Sequence, residues 1–181
     1  MFGAIELGGT KVYCGVSDGV SDFISKTRID TRDPESTVHQ IVDFFENCQA
    51  QFGKLLGIGV ASFGPVDIDL ESSSYGTILN TPKPGWSNFS LLDSIKSVFD
   101  VPIALTTDVN AALIAEHQRG AARGVGNAVY VTVGTGVGAG ILVNGELVNG
   151  FLHPELGHML IPSNGVEGIC SFHKNCLEGL A

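Results

Sequence analysis

His158, Cys170, His173 and Cys176 follow one another with the spacing His-x11-Cys-x2-His-x2-Cys. Two thiolates and two imidazoles suit tetrahedral zinc, and four protein ligands leave no open position, so zinc there would be structural. In a cytosolic chain the closeness of Cys170 and Cys176 favours a metal over a disulfide. Ordinary loop cysteines and histidines are the bland alternative. Just upstream, His153, Pro154, Glu155, Gly157 and His158 form a polar cluster. Glu and His supply the donors and acceptors that a neutral sugar needs, unless the segment is only a solvated loop. Asp108 stands where a strand pattern ends and a helical one begins. It is either that helix's N-cap or a general base at a strand's carboxyl end, where α/β proteins place ligands. As a base it would take a hydroxyl proton while the oxygen attacks phosphorus. Asn110 is a surface residue or a substrate hydrogen-bond donor.

Two glycine turns point to a phosphate. Residues 4–16 read strand, Gly8-Gly9-Thr10, strand. Glycines at such a bend let backbone N–H groups approach a ligand closely, and a concavity of amides favours an anion. An ordinary Gly-Gly hairpin is the alternative. The pattern returns, however: residues 4–19 and 130–145 align without a gap, as AIELGGTKVYCGVSDG over YVTVGTGVGAGILVNG. Each ends in a turn dipeptide of the type I′ kind, Asp18-Gly19 and Asn144-Gly145. Two Gly/Thr loops, the second being Gly134-Thr135-Gly136, suggest a nucleotide clamped between two lobes. The run from Gly134 to Ala139 also matches a dinucleotide fingerprint, with Glu155 as the ribose acid. That motif needs a helix after the glycines. Residues 140–145 read as strand and turn, so the match is taken as a decoy.

The elements that must position these groups alternate between strand and helix, which means α/β. A third strand is expected over 23–29. Asp33-Pro34-Glu35 opens a helix with Val38, Ile41, Val42, Phe45, Cys48 and Phe52 on its apolar face, and Gly53 ends it. Residues 55–61 form a buried strand leading to Ser62-Phe63-Gly64-Pro65. Residues 66–90 carry no periodicity but hold Asn80, two prolines and the one tryptophan, Trp86; such loops tend to be functional. Ser90 and Asp93 resemble a capping box for a helix with Leu91, Leu92, Ile95, Val98 and Phe99 inward. A strand over 101–107 and a helix over 109–122 follow. Residues 119–126 are the expected lobe boundary, giving an amino-terminal lobe over 1–120 and the start of a second lobe over 121–181.

A net charge of -9 argues against nucleic acid and anionic membranes as partners. No export signal or membrane span is read, so the expected compartment is the cytoplasm. Cys14 and Cys48 read as small buried apolar groups.

With these residues assembled, the sequence resembles the sugar kinases of the ROK family, most of all their bacterial fructokinase branch. Glu6-Leu7-Gly8-Gly9-Thr10-Lys11 is similar to the first phosphate motif, and Gly134-Thr135-Gly136-Val137-Gly138 to the second. Thr81-Pro82-Lys83-Pro84-Gly85-Trp86 resembles the fructokinase sugar loop. Thr107-Asp108-Val109-Asn110-Ala111-Ala112 resembles the segment with the catalytic aspartate, and His153-Pro154-Glu155-Leu156-Gly157-His158 the sugar-and-zinc segment. Glu6 replaces the Asp of most members, and Phe172 breaks the family's Cys-x-Cys pattern at its second cysteine, with His173 as substitute; both departures resemble the fructokinase variant. The family's chains are longer, so the sequence is expected to be truncated on its carboxyl-terminal side.

The resemblance implies an actin-like, RNase H-like two-lobe fold closing over ATP and a hexose, the second lobe being partial here. Asp108 would deprotonate the 6-hydroxyl of fructose, and Mg²⁺ with both glycine loops (Gly8, Gly9, Thr10, Lys11; Gly134, Thr135, Gly136) would hold the triphosphate. Asn80, Asn110, Glu155 and His158 would grip the sugar, and a homodimer is expected of the full-length chain. Two other classes stay open. A sugar-sensing repressor would need a helix-turn-helix before the phosphate motif, which starts at residue 4. A catalytically silent sugar- or zinc-binding fragment is the second.

Overall fold

The computed structural model describes residues 1–19, 22–134, 136–149 and 153–181. By contacts the chain divides into two compact units, Met1–Asp108 and Val109–Ala181.

In the first unit, β1 (Phe2–Leu7) and β2 (Lys11–Ser17) form a hairpin, with β3 (Ser25–Asp30) antiparallel to β2. Ile5, Leu7, Val12, Cys14 and Val16 alternate onto one buried face. The helix α1 (Pro34–Phe52) is stopped as its sequence dictates: Asp33 accepts from the Ser36 amide at 2.9 Å, and Gly53 leaves at φ 101°. Its Ile41, Phe45 and Cys48 are buried, whereas Phe52, expected on that face, is exposed where the helix ends. After β4 (Gly57–Ser62), a short antiparallel pair forms from β5 (Thr77–Ile78) and β6 (Phe89–Ser90) inside the stretch expected to be loop. Then come α2 (Leu91–Lys96) and β7 (Ile103–Thr107). Ser90 caps α2 without a side-chain bond, so the expected capping box does not form, and Val98 lies exposed beyond the helix. Strand order is β3-β2-β1-β4-β7, with β1, β4 and β7 parallel.

The loop after β4 is held by a buried carboxylate. Asp67 accepts from the Ser72 and Ser74 hydroxyls at 2.6 Å each and from the Asp69 amide at 3.1 Å. Burial pushes its pKa up, but these three donors together hold it below the ordinary carboxylate value. Asp67→Ala is expected to cost about 2–3 kcal/mol of stability at pH 7, read from the urea midpoint at constant slope. The folded pKa lies below the unfolded one. The contribution is therefore complete above about pH 4 and fades as pH falls through the folded value, so variant and wild type should converge in acid.

In the second unit, β8 (Ala128–Val133), β9 (Val137–Val143) and β10 (Glu146–Leu147) form an antiparallel sheet. Asn144 and Gly145, after β9, both take positive φ, as a type I′ turn requires; of Asp18 and Gly19, after β2, only Gly19 does. The residues after the glycines are strand β9, so the dinucleotide fingerprint lacks its helix. Here α3 (Asp108–Arg119) begins on the last residue of the first unit. Residue 120, where the lobe boundary is expected, falls within this second unit, and the first turn of α3 meets β9. A Cβ on Gly140 would lie 2.7 Å from the Val109 carbonyl oxygen, and one on Gly138 3.0 Å from Val109 Cγ1. Only glycines let the helix approach so closely.

The two hairpins match strand for strand in sequence but differ in register. Leu7 pairs with Val12, whereas Val133 pairs with Val137. Gly8 N–H bonds the Lys11 carbonyl across two intervening residues, while Gly134 N–H bonds that of Gly136 across one. Ile5 and Leu7 are buried, while their aligned counterparts Val131 and Val133 are exposed on β8. Among the described residues no helix is long and apolar enough to cross a membrane.

Candidate functional site

Within the first unit the parallel register places three strand ends side by side. Leu7 pairs with Ser62, and Ser62 with Thr107. The next residues in each strand are therefore the first glycine turn, the Phe63–Pro65 turn and Asp108. Phe63 N–H donates to the Leu7 carbonyl at 2.7 Å, closing the edge. With strands about 4.8 Å apart, Asp108 stands roughly 10 Å along the edge from the root of the Gly8–Thr10 turn. Asp108 is the first residue of α3 and is half-buried. Leu79 N–H bonds the Pro65 carbonyl at 2.8 Å, which brings the exposed Asn80 after β5 to this edge as well.

The first turn is braced from below. Gly8 N–H donates to the Lys11 carbonyl, and Thr31 Oγ1 donates to the Gly8 carbonyl at 2.8 Å. A Cβ on Gly8 would meet the Lys11 carbonyl oxygen at 2.9 Å, whereas one on Gly9 meets nothing within 4 Å. Lys11 opens β2 with its side chain exposed. Over this turn lies the segment Thr81–Trp86. Trp86 is fully buried, edge-on to Phe63 and Phe89, with its indole N–H on the Arg32 carbonyl at 2.7 Å. Lys83 Nζ donates to the Gly9 carbonyl.

In the second unit another group assembles around the second turn. The 3₁₀ turn Leu156–His158 presses so closely on β9 that a Cβ on Gly157 would lie 1.8 Å from the Val137 carbonyl oxygen. Gly157→Ala is expected to cost at least about 2 kcal/mol, since backbone must yield; a thermal melt reads it. That contact sets Glu155 and His158 beside the second glycine turn. Burial pushes the Glu155 carboxyl up, the neighbouring His158 partly offsets this, and Glu178 adds to the rise. Its Oε1 lies 3.6 Å from Nδ1 of His153, whose imidazole burial pulls below its usual value. Asn110, in the first turn of α3, is fully buried against Gly140, which excludes the surface reading. Thr135 lies outside the described residues.

Glu178 was not foreseen from sequence. Its Oε2 accepts from the Val137 amide at 2.9 Å and would clash with a Cβ on Gly136 at 2.7 Å. The one available signal was an acid two residues beyond a metal-ligand cysteine.

The four ligand atoms of His158, Cys170, His173 and Cys176 all lie within 4.8 Å of one another. His158 Nδ1 is 3.7 Å from both Cys170 Sγ and Cys176 Sγ. Zn–S near 2.3 Å and Zn–N near 2.05 Å give a tetrahedral S···N edge of about 3.6 Å, so the spacing fits the ion. The thiols are already poised as acceptors. Phe172 N–H points at Cys170 Sγ at 3.4 Å, and Gly179 N–H at Cys176 Sγ at 3.3 Å, at the start of α4 (Leu177–Leu180). Backbone N–H groups of His173 and Phe172 hold the Cys170 thiol below its ordinary value, favouring the thiolate a metal needs. Gly168 and Gly179 both sit against the Lys174 carbonyl, where a Cβ would lie 1.9 and 2.0 Å from its oxygen. Cys14 and Cys48 are buried in the first unit, as expected.

A model of the ROK family matches residues 2–181. The fructokinase of Lactococcus lactis subsp. cremoris is 40% identical over 184 residues, covering 99% of this chain and 61% of that one. That of Zymomonas mobilis subsp. mobilis is 41% identical over 187 residues, covering 100% and 62%. The chain thus spans about three-fifths of the length of these curated relatives. Among solved structures, a ROK family glucokinase from Streptomyces griseus, in complex with glucose and AMPPNP, superposes with a TM-score of 0.77 at 27% identity. It covers 98% of this chain, and the chain covers 55% of it. The α/β reading therefore holds, with the actin-like fold of these kinases over the portion spanned.

Proposed function

Because the chain belongs to the ROK family, we propose that the intact protein is an ATP-dependent hexose kinase, transferring the γ-phosphate to the 6-hydroxyl of D-fructose. The observation that carries this is the shared sheet edge: the first glycine turn and Asp108 follow aligned carboxyl ends of parallel strands, and the Leu79–Pro65 bond brings Asn80 to the same edge. That is where an open α/β sheet receives ligands. The identity to fructokinases supports fructose as the sugar.

Asp108 accepts the hydroxyl proton as the sugar oxygen attacks phosphorus in line, and the rest of the protein's part is positioning and charge. Gly8, Gly9, Thr10 and Lys11 would bind the triphosphate, as would Gly134, Thr135 and Gly136. Mg²⁺ bound with ATP would offset its negative charge. Asn80, Asn110, Glu155 and His158 bind sugar hydroxyls. His158 can serve both sites because its Nδ1 faces the two thiols, which leaves Nε2 as a proton donor to the sugar. His158, Cys170, His173 and Cys176 hold zinc, whose contribution is structural, fixing the loop that carries His158. The protein would act in the cytoplasm as a homodimer.

A hexose panel with ATP and coupled detection of ADP tests the reading on the intact protein. Fructose should exceed glucose and mannose in kcat/KM by about tenfold or more. A higher value for glucose or mannose moves the assignment within hexose kinases. Sugar or zinc binding with no ADP release on any hexose makes the protein a binder and ends the kinase proposal.

A further inference from the structure

We propose that Lys83 is a nucleotide-phosphate-binding residue, presented at the first glycine turn by a rigid sugar-side loop; this rests on the kinase reading above. The ammonium donates to the Gly9 carbonyl, far away in sequence. An ammonium carries three donors, so others remain to face outward. Among the described residues no carboxylate lies within ion-pair distance of it, in a chain of net charge -9.

Gly9 gives the second observation. Its φ is not positive, and a Cβ there would meet nothing within 4 Å. Neither strain nor crowding demands a glycine, and the turn is open on the side a Cβ would occupy. A phosphate oxygen can approach the turn there, at the residue whose carbonyl holds the lysine ammonium.

The loop is built to hold the cation in place. Pro82 and Pro84 flank Lys83 and restrict the backbone. Trp86 is anchored in the core, and its backbone N–H donates to the Lys83 carbonyl at 3.2 Å. Thr81 and Ser87 exchange bonds of 3.1 and 2.8 Å across the base. Gly85 leaves at φ 80°, against Pro34. Little freedom remains to be lost when a phosphate binds.

The test compares wild type, Lys83→Met and Lys83→Arg in the intact protein, using ADP titrated against Trp86 fluorescence alongside steady-state kinetics. Methionine keeps the stem and removes the charge. The expected result is a rise of about 10–100-fold in the ADP dissociation constant and in KM for ATP. KM for the hexose and the melting temperature should be unchanged, and arginine should restore part of the loss. Unchanged ADP affinity, or a rise in hexose KM alone, overturns the proposal, and so does a fall in melting temperature that accounts for the weaker binding. If wild type phosphorylates no hexose but binds ADP in a Lys83-dependent way, the kinase reading fails and Lys83 stands. If wild type binds no nucleotide, both fall.

Discussion

Asp108→Asn is expected to lower turnover by about 10²–10⁴-fold while leaving the sugar dissociation constant within a few-fold of wild type. The substitution separates the two roles open to this residue. Asn caps a helix about as well as Asp, so a residue that only starts α3 would tolerate the change in both turnover and melting temperature. A general base would not, because an amide cannot take the hydroxyl proton. The geometry favours the second role: Asp108 follows Thr107, whose neighbour across the sheet is Ser62, at the end that carries the first glycine turn. Coupled kinetics and sugar calorimetry on the intact protein decide it. Turnover within threefold of wild type would remove Asp108 from the mechanism.

Cys176→Ala is expected to abolish stoichiometric zinc, measured as metal per chain, and to lower the melting temperature sharply. Structural zinc contributes folding free energy outright, about 10–16 kcal/mol in small zinc-binding peptides. Cys176 serves twice, since its thiol is among the four clustered ligands and also accepts the Gly179 amide that starts α4. Chelation of the wild type should reproduce the loss. Cys14→Ala is the control: burial pushes that thiol up to about 12, so it stays protonated and holds no metal. A Cys176→Ala protein that retains one tightly held zinc would show that the four residues are not its ligand set.

The metal cluster was legible because its spacing alone restricts the chemistry, and α1 because Asp33, Pro34 and Gly53 each act locally at its ends. The capping box at Ser90 failed for the opposite reason. That motif is short, and α2 is held by Leu91, Leu92 and Ile95 packing into the core, without need of a side-chain cap. The gapless repeat showed two like hairpins but not their register, which hung on one residue between Gly134 and Gly136. The β-pair inside residues 66–90 was invisible since two-residue strands carry no periodicity.

The amino-acid sequence by itself determined the α/β alternation, the two glycine turns, the zinc-ligand spacing and the family, all of which depend on residue type and on neighbours a few positions away. Only the tertiary structure decided that Gly8, Pro65 and Asp108 share one sheet edge, that α3 packs with the second unit, and that Lys83 and Glu178 each reach a glycine turn. Those outcomes come from strand register and from backbone approach at glycine. Both are set by the simultaneous burial of segments far apart along the chain, which no local pattern encodes.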